Sequence, residues 1–253
     1  MCGARPLYLS CGLILEEGLR FDLLERVLRS IRDAAREANV HVVTGDTKVV
    51  EHGKADGLYI NTAGVGIVEH DLEIGPQAIR AGDRILVSGD LGRHGMAVMS
   101  RREGLEFESE ILSDCAPVTA TVRALLESGI RVHCLRDLTR GGLAAALHEI
   151  VRSARISVAL EESHIPVWGA VRSACEIFGL DPIYSANEGR FAAFVAAGDA
   201  GKALEILRAD DPNAAEIGGV VRADTGAAVT MRTSLGIERF VDLPSGDQLP
   251  RIC

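Results

Sequence analysis

The stretch Arg136-Asp-Leu-Thr-Arg-Gly-Gly142 joins a short apolar piece, Val132-His-Cys-Leu135, to a run whose apolar side chains recur at helical spacing through Leu143, Leu147 and Ile150. It reads as strand, polar turn, helix. Such a turn aims backbone N–H groups and the positive end of a helix dipole at whatever lies in front of it, and Gly141 and Gly142 would let a ligand approach closely. Those are the parts of a phosphate site. Asp137 would repel a bare phosphate, so its carboxylate fits there if a divalent cation bridges it to phosphate oxygens. An ordinary helix start with an Asp near its N-cap fits the same residues.

Outward from that turn, strands and helices interleave. Toward the N-terminus, Leu7 to Leu15 reads as a buried strand with Gly12 as a bulge, and Phe21 to Asn39 as an amphipathic helix through Leu23, Leu24, Val27, Leu28, Ile31 and Ala35. A short strand Val40-His-Val-Val43 leads into Thr44-Gly-Asp-Thr-Lys48, and Leu58 to Gly66 forms the next strand. Composition changes near Pro76, where a second domain begins. It holds strands ending near Asp90, at 157–160, 191–196, 217–221 and 227–231, and helices over 96–102, 117–128, 166–178 and 200–208. The expected organisation is an N-terminal domain over 1–75, a C-terminal α/β domain over 76–240, and a flexible tail over 241–253 with two prolines and no periodicity.

Composition narrows the function classes. With 27 Lys plus Arg against 36 Asp plus Glu, the net charge of −9 and the lack of a basic run argue against a nucleic-acid partner. No stretch is long enough to span a membrane. The 6 cysteines are scattered without CxxC or zinc-type spacing, as expected for reduced thiols in a cytoplasmic protein. The usual P-loop, dinucleotide-binding and nucleophile-elbow motifs are missing. Two other polar stretches stand out. Gly45-Asp-Thr-Lys48 offers a carboxylate, a hydroxyl and an ammonium within four residues, enough to hold a metal and a phosphate, or simply a solvated turn. Asn187-Glu-Gly189 could present Glu188 as a ligand or base, or form a turn before a strand. His94 and His148 each stand alone.

Taken together, Gly45-Asp-Thr-Lys-Val-Val50, Asn61-Thr-Ala-Gly-Val-Gly66, Gly82-Asp83, Ser88-Gly89 with Gly92-Arg-His-Gly95, the 136–142 turn, Asn187-Glu-Gly189 and the terminal Pro250-Arg-Ile-Cys253 resemble the HypE family of hydrogenase maturation proteins. That family lies within the PurM-like, AIR synthase-related, ATP-binding superfamily. The resemblance implies a two-domain α/β (α+β) fold whose N-terminal sheet pairs with a second copy in a homodimer. It implies an ATP-dependent dehydratase that converts a carboxamide on the C-terminal cysteine to a thiocyanate, the source of cyanide ligands for nickel–iron hydrogenases. The partners implied are the carbamoyltransferase HypF and the HypC–HypD iron scaffold complex, and the cofactors ATP and Mg2+.

Residue by residue, the resemblance makes Cys253 the acceptor thiol and puts Lys48 and Glu188 near it for proton handling. Asp46, Thr47, Lys48, Asp137, Thr139, Gly141 and Gly142 fall in motifs tied to Mg-ATP, with Asp46 and Asp137 on the metal. Family members also carry a further acidic N-terminal segment ahead of the position of Gly3, so the N-terminal domain is expected to be incomplete and the nucleotide site short of some ligands. Two other readings stand beside the dehydratase. One is another PurM-like ATP-dependent synthetase, against which the terminal Cys253 argues; the other is a subunit that only docks maturation partners.

Overall fold

The computed structural model describes residues 1–104, 110–222 and 226–243. The chain divides into two compact units, one formed by Gly3–Glu69 and one by Met1, Cys2 and the residues from His70 onward.

The smaller unit is a three-stranded sheet with one helix. Strand β1 (Arg5–Glu16) lies between β2 (His41–Val50), to which it is parallel, and β3 (Leu58–Ile67), to which it is antiparallel. The crossover from β1 to β2 is α1 (Phe21–Glu37), whose Asn39 takes a positive φ of 53° just past the helix end. The register of β1 shifts at Leu9/Ser10 and at Pro6/Tyr8, not at Gly12. Thr44 to Lys48, read from sequence as the turn after a short strand, lies within β2: Asp46, Thr47 and Lys48 pair with Gly12, Leu13 and Ile14. The ladder to β1 satisfies the backbone, and an edge strand tolerates polar side chains. Gly45 is needed for packing, since a Cβ there would meet the Cys11 carbonyl oxygen at 2.1 Å.

In the larger unit, β4 (Arg84–Val87), β5 (Val132–Asp137), β6 (Ser157–Glu161), β7 (Phe191–Val195), β8 (Ala215–Val221), β9 (Val229–Arg232) and β10 (Glu238–Phe240) form one sheet in the order β10-β9-β6-β8-β4-β7-β5. Most pairings are antiparallel; β6 and β9 run parallel. The continuous apolar runs of β4 and β7 follow from burial on both faces. Ile85, Val87, Ala192 and Phe194 pack on one side with α4 (Gly142–Ala154), while Leu86, Phe191, Ala193 and Val195 pack on the other with α3 (Thr119–Glu127) and α6 (Ala200–Asp210). A third apolar cluster joins α2 (Arg93–Arg102) to α5 (Gly169–Phe178). No helix among the described residues is long and apolar enough to cross a membrane.

Val241, placed at the start of the tail by sequence, is 2% exposed and donates its N–H to the Val229 carbonyl at 2.9 Å. His148 Nε2 meets the Val241 carbonyl oxygen at 2.6 Å, which gives that histidine a structural duty. Residues 244–253, with Cys253, lie outside the described residues.

Gly142 shows how tightly the opening turn is built. Its φ is +61°, and a Cβ would sit 2.6 Å from the carbonyl oxygens of both Ile183 and Ser185. The close approach that sequence assigned to a ligand is therefore made by the chain's own backbone at this position. Gly142→Ala is expected to cost about 2–5 kcal/mol from left-handed strain plus overpacking, while Gly179→Ala, where φ is also positive but nothing lies within 4 Å, should cost only about 1 kcal/mol. Urea denaturation of the two variants checks the difference.

Candidate active site

Asn187 is fully buried and its side chain is saturated on both ends. Its Nδ2 donates to the carbonyls of Leu138 and Ser185, each at 3.1 Å, and its Oδ1 accepts from the Gly92 N–H at 2.7 Å. Its backbone N–H also donates to Leu138 at 3.0 Å. One side chain thus ties the loop after β4, the turn after β5 and the loop before β7. An aspartate would lose the two donors, and a leucine would leave a buried N–H and two carbonyls short of a partner.

That tie presents Glu188. Its N–H donates to Asp114 Oδ1 at 2.9 Å, and Gly189 follows with no room for a side chain, since a Cβ would meet the Asp114 carbonyl oxygen at 2.0 Å. Burial pushes the Glu188 carboxyl above the usual carboxylate range; His94 opposes that shift, while Asp114 and Asp137 add to it. Asp114, 6% exposed, is pushed up chiefly by burial, against the Glu188 amide and the nearby charges of Arg190 and His94. A carboxyl raised in this way is suited to proton transfer near neutral pH.

A charged network stiffens the same end of the sheet. Asp90 is nearly buried between Arg93, at 2.7 Å, and Arg190, at 3.0 Å, and Arg190 also pairs with Asp211 at 2.8 Å. Gly89 leaves space for this, because a Cβ would lie 2.7 Å from Arg190 Nε. Ser88 completes it by accepting the Phe191 N–H at 3.0 Å.

The residues named from sequence fall into distinct places. Asp137 ends β5 instead of sitting in the turn; its Oδ2 accepts the Thr139 hydroxyl at 2.7 Å, and Arg136 lies 3.3 Å from Oδ1. Gly141 is the N-cap of α4, with φ 74° and no side-chain cap. Asp137 and Thr139 therefore stand within one turn of the uncapped helix start, and the Asp137 carboxylate is half-exposed, with capacity left for a cation. Among the described residues no three His, Cys, Asp or Glu side chains gather to hold an ion by themselves. On β2, strand alternation puts Asp46 and Lys48 on one face and Thr47 on the other, so the three cannot act from one side. Asp46 Oδ1 accepts the Thr47 N–H at 2.9 Å, and Lys48 is exposed. Sequence reasoning missed Asp114 and the Asp90–Arg190 pair. Neither sits in a periodic segment, and only the folded loops bring them to Glu188 and β7.

Two family models match the chain: the AIR synthase related protein N-terminal domain over residues 1–68 and the AIR synthase related protein C-terminal domain over residues 80–230. A carbamoyl dehydratase HypE of Bradyrhizobium diazoefficiens is 51% identical over 256 residues, covering 100% of this chain and 74% of the relative. The chain belongs to the HypE family. The carbamoyl dehydratase HypE of Escherichia coli is 42% identical, covering 99% of this chain and 74% of its own length. Among solved structures, a HypE in complex with ATP superposes with a TM-score of 0.97 at 44% identity, covering 100% of this chain and 77% of that one. A HypE–HypF complex gives 0.92 at 41%, covering 96% and 80%. A thiamine monophosphate kinase of Aquifex aeolicus, at 17% identity and a TM-score of 0.69, shares the fold. The family is one of enzymes, and its two domains correspond to the AIR synthase-related pair expected from sequence.

The raised carboxyl of Asp114 carries a pH signature. A carboxyl whose folded pKa lies above its unfolded value contributes stability below the unfolded pKa and loses it as pH rises through the folded one. Asp114→Asn keeps the Oδ1 acceptor for the Glu188 N–H and cannot ionise. Its unfolding free energy, measured in urea from about pH 3 to 7, is expected to gain on that of the parent as pH rises. A difference that stays flat or reverses would show that Asp114 is not held in an environment hostile to its charge.

Proposed function

We propose that this chain uses ATP to dehydrate an S-carboxamide carried on Cys253 to a thiocyanate, which supplies cyanide ligands for nickel–iron hydrogenase maturation. The observation that carries the reading is Glu188: a half-buried carboxyl, raised by burial and fixed by the Asn187 tie, in a family of carbamoyl dehydratases. Dehydration requires the amide oxygen to become a leaving group and both N–H protons to depart. ATP serves the first need, and one supporting fact is the ATP bound to a HypE 44% identical to this chain. Magnesium, when bound, would neutralise charge on the transferring phosphoryl.

In this reading Asp137 offers the metal a carboxylate, Thr139 orients it, and Gly141 and Gly142 start the helix whose amides face phosphate; Asp46 is the metal carboxylate that the family resemblance assigns in the smaller unit. Asp46 and Lys48 act together from one face of β2, leaving Thr47 a backbone or opposite-face role. Glu188 handles protons at the substrate amide, and Lys48 is the proton-handling residue that the family resemblance assigns in the smaller unit. The partners are a carbamoyltransferase, as in the solved HypE–HypF pair, and an iron-carrying HypC–HypD scaffold that takes the cyano group. The protein works in the cytoplasm as a homodimer formed through its small sheet. In support, that sheet leaves Val43, Val49, Tyr59, Ile60 and Val65 exposed, an unusual load of apolar surface for three strands.

The test loads the full-length protein with the carbamoyltransferase system and ATP and follows intact mass. The parent should gain a carbamoyl group and then lose one water. Cys253→Ala should gain nothing, and Glu188→Gln should load normally but dehydrate at least about a hundredfold more slowly. Adducts persisting in Cys253→Ala, or mapping to Cys115, Cys134 or Cys175, would overturn the assignment.

A further inference from the structure

Only four buried side-chain polar atoms among the described residues have no hydrogen-bond partner, and three of them belong to one cluster: His94 Nε2, Asp114 Oδ2 and Glu188 Oε1. Native folds leave few such atoms, and three together call for a common reason. The cluster is assembled by the fold around Asn187. His94 lies in the first turn of α2, whose start is pinned by Gly92 N–H to Asn187 and by Gly95 N–H to the Ala186 carbonyl at 3.0 Å. Asp114 is pinned from the other side by the Glu188 N–H.

His94 Nδ1 lies 2.8 Å from Ser113 Oγ, which also lies 3.1 Å from Cys115 Sγ. With the Ser113 hydroxyl turned to the thiol, Nδ1 carries the hydrogen, and a neutral His94 of that tautomer leaves the buried, unpartnered Nε2 as a free base. When charged, the same imidazole acts on both carboxyls.

The chemistry of dehydration calls for such a group. An S-carboxamide gives up two protons from the same nitrogen: one as its oxygen is phosphorylated, the second as the C–O bond breaks, phosphate departs and the nitrogen pair closes the C≡N bond. One carboxylate holds one proton at a time. We propose that His94 receives, at Nε2, the first proton that Glu188 takes from the substrate amide, which frees Glu188 to take the second. The proposal rests on the dehydratase reading above. His94 becomes an imidazolium, Glu188 returns to carboxylate, and no other reagent is consumed. Asp114 is the positioning residue: it fixes the Glu188 backbone, and its charge, like that of Asp137, makes Glu188 the stronger base toward the substrate amide. The other charged groups acting on the cluster are Arg190 and Asp90, both felt through Asp114.

The experiment follows water loss from the full-length protein loaded at Cys253, across about pH 5.5 to 9, by intact mass. The parent should slow on the acid side of that range. His94→Asn, whose amide nitrogen can keep the Ser113 contact, should bind ATP and load like the parent but dehydrate at least about tenfold more slowly, with the acid limb displaced. His94→Ala should regain rate on addition of imidazole in proportion to its neutral form. Parent-like rate and pH profile in His94→Asn would overturn the relay, and so would a slow His94→Ala that loads normally and ignores imidazole. A parent that loads but never loses water overturns the dehydratase reading itself, a result distinct from either.

Discussion

The larger unit depends on one buried amide. Asn187 makes three side-chain hydrogen bonds to backbone groups on three separate loops, and each of those loops carries a residue of the proposed chemistry: His94 after Gly92, Asp137 and Thr139 around Leu138, and Glu188 itself. An amide suits this place because it donates twice and accepts once without carrying a charge, whereas a buried ion here would need a counter-charge. The glycines around it follow from the same crowding. Gly142 and Gly189 lie where another segment's carbonyl comes within 2.6 Å and 2.0 Å of a hypothetical Cβ.

This arrangement separates rigidity from reactivity. The Asp90–Arg190–Asp211 network and the sheet beneath it are paired and buried, so they hold the strand ends in place. Above them Asp114, Glu188 and His94 keep polar atoms unpartnered and carboxyls raised, which costs stability but leaves groups able to exchange protons. Cys134 and Cys175, by contrast, are buried thiols pushed up to about 11, so they remain protonated and inert.

Much of this was legible in the sequence, for identifiable reasons. Strands covered on both faces, such as 84–87 and 191–195, announce themselves as unbroken apolar runs, and amphipathic helices such as α1 by their 3.6-residue period. Asn187-Glu-Gly189 stood out either as presenting Glu188 or as a turn; the saturated hydrogen bonding of Asn187 exists only once the Gly92 and Leu138 loops arrive. The polar run at 44–48 read as a turn because local composition cannot reveal a ladder partner supplied by β1. β10 was missed, since its three residues Glu238–Phe240 have no pattern apart from their pairing with β9. Asp114 lies in a loop without periodicity, and the Glu188 amide that holds it is 74 residues further along the chain.

The claim that the Asn187 side chain holds the reactive loops together is tested most directly by amide hydrogen exchange in Asn187→Ala. The account predicts that the Gly92, Gly95 and Glu188 amides exchange faster by about tenfold or more, through local opening, while the amides of β1 and β3 are unchanged. Unaltered protection at Gly92 and Glu188 in a folded Asn187→Ala protein would contradict it.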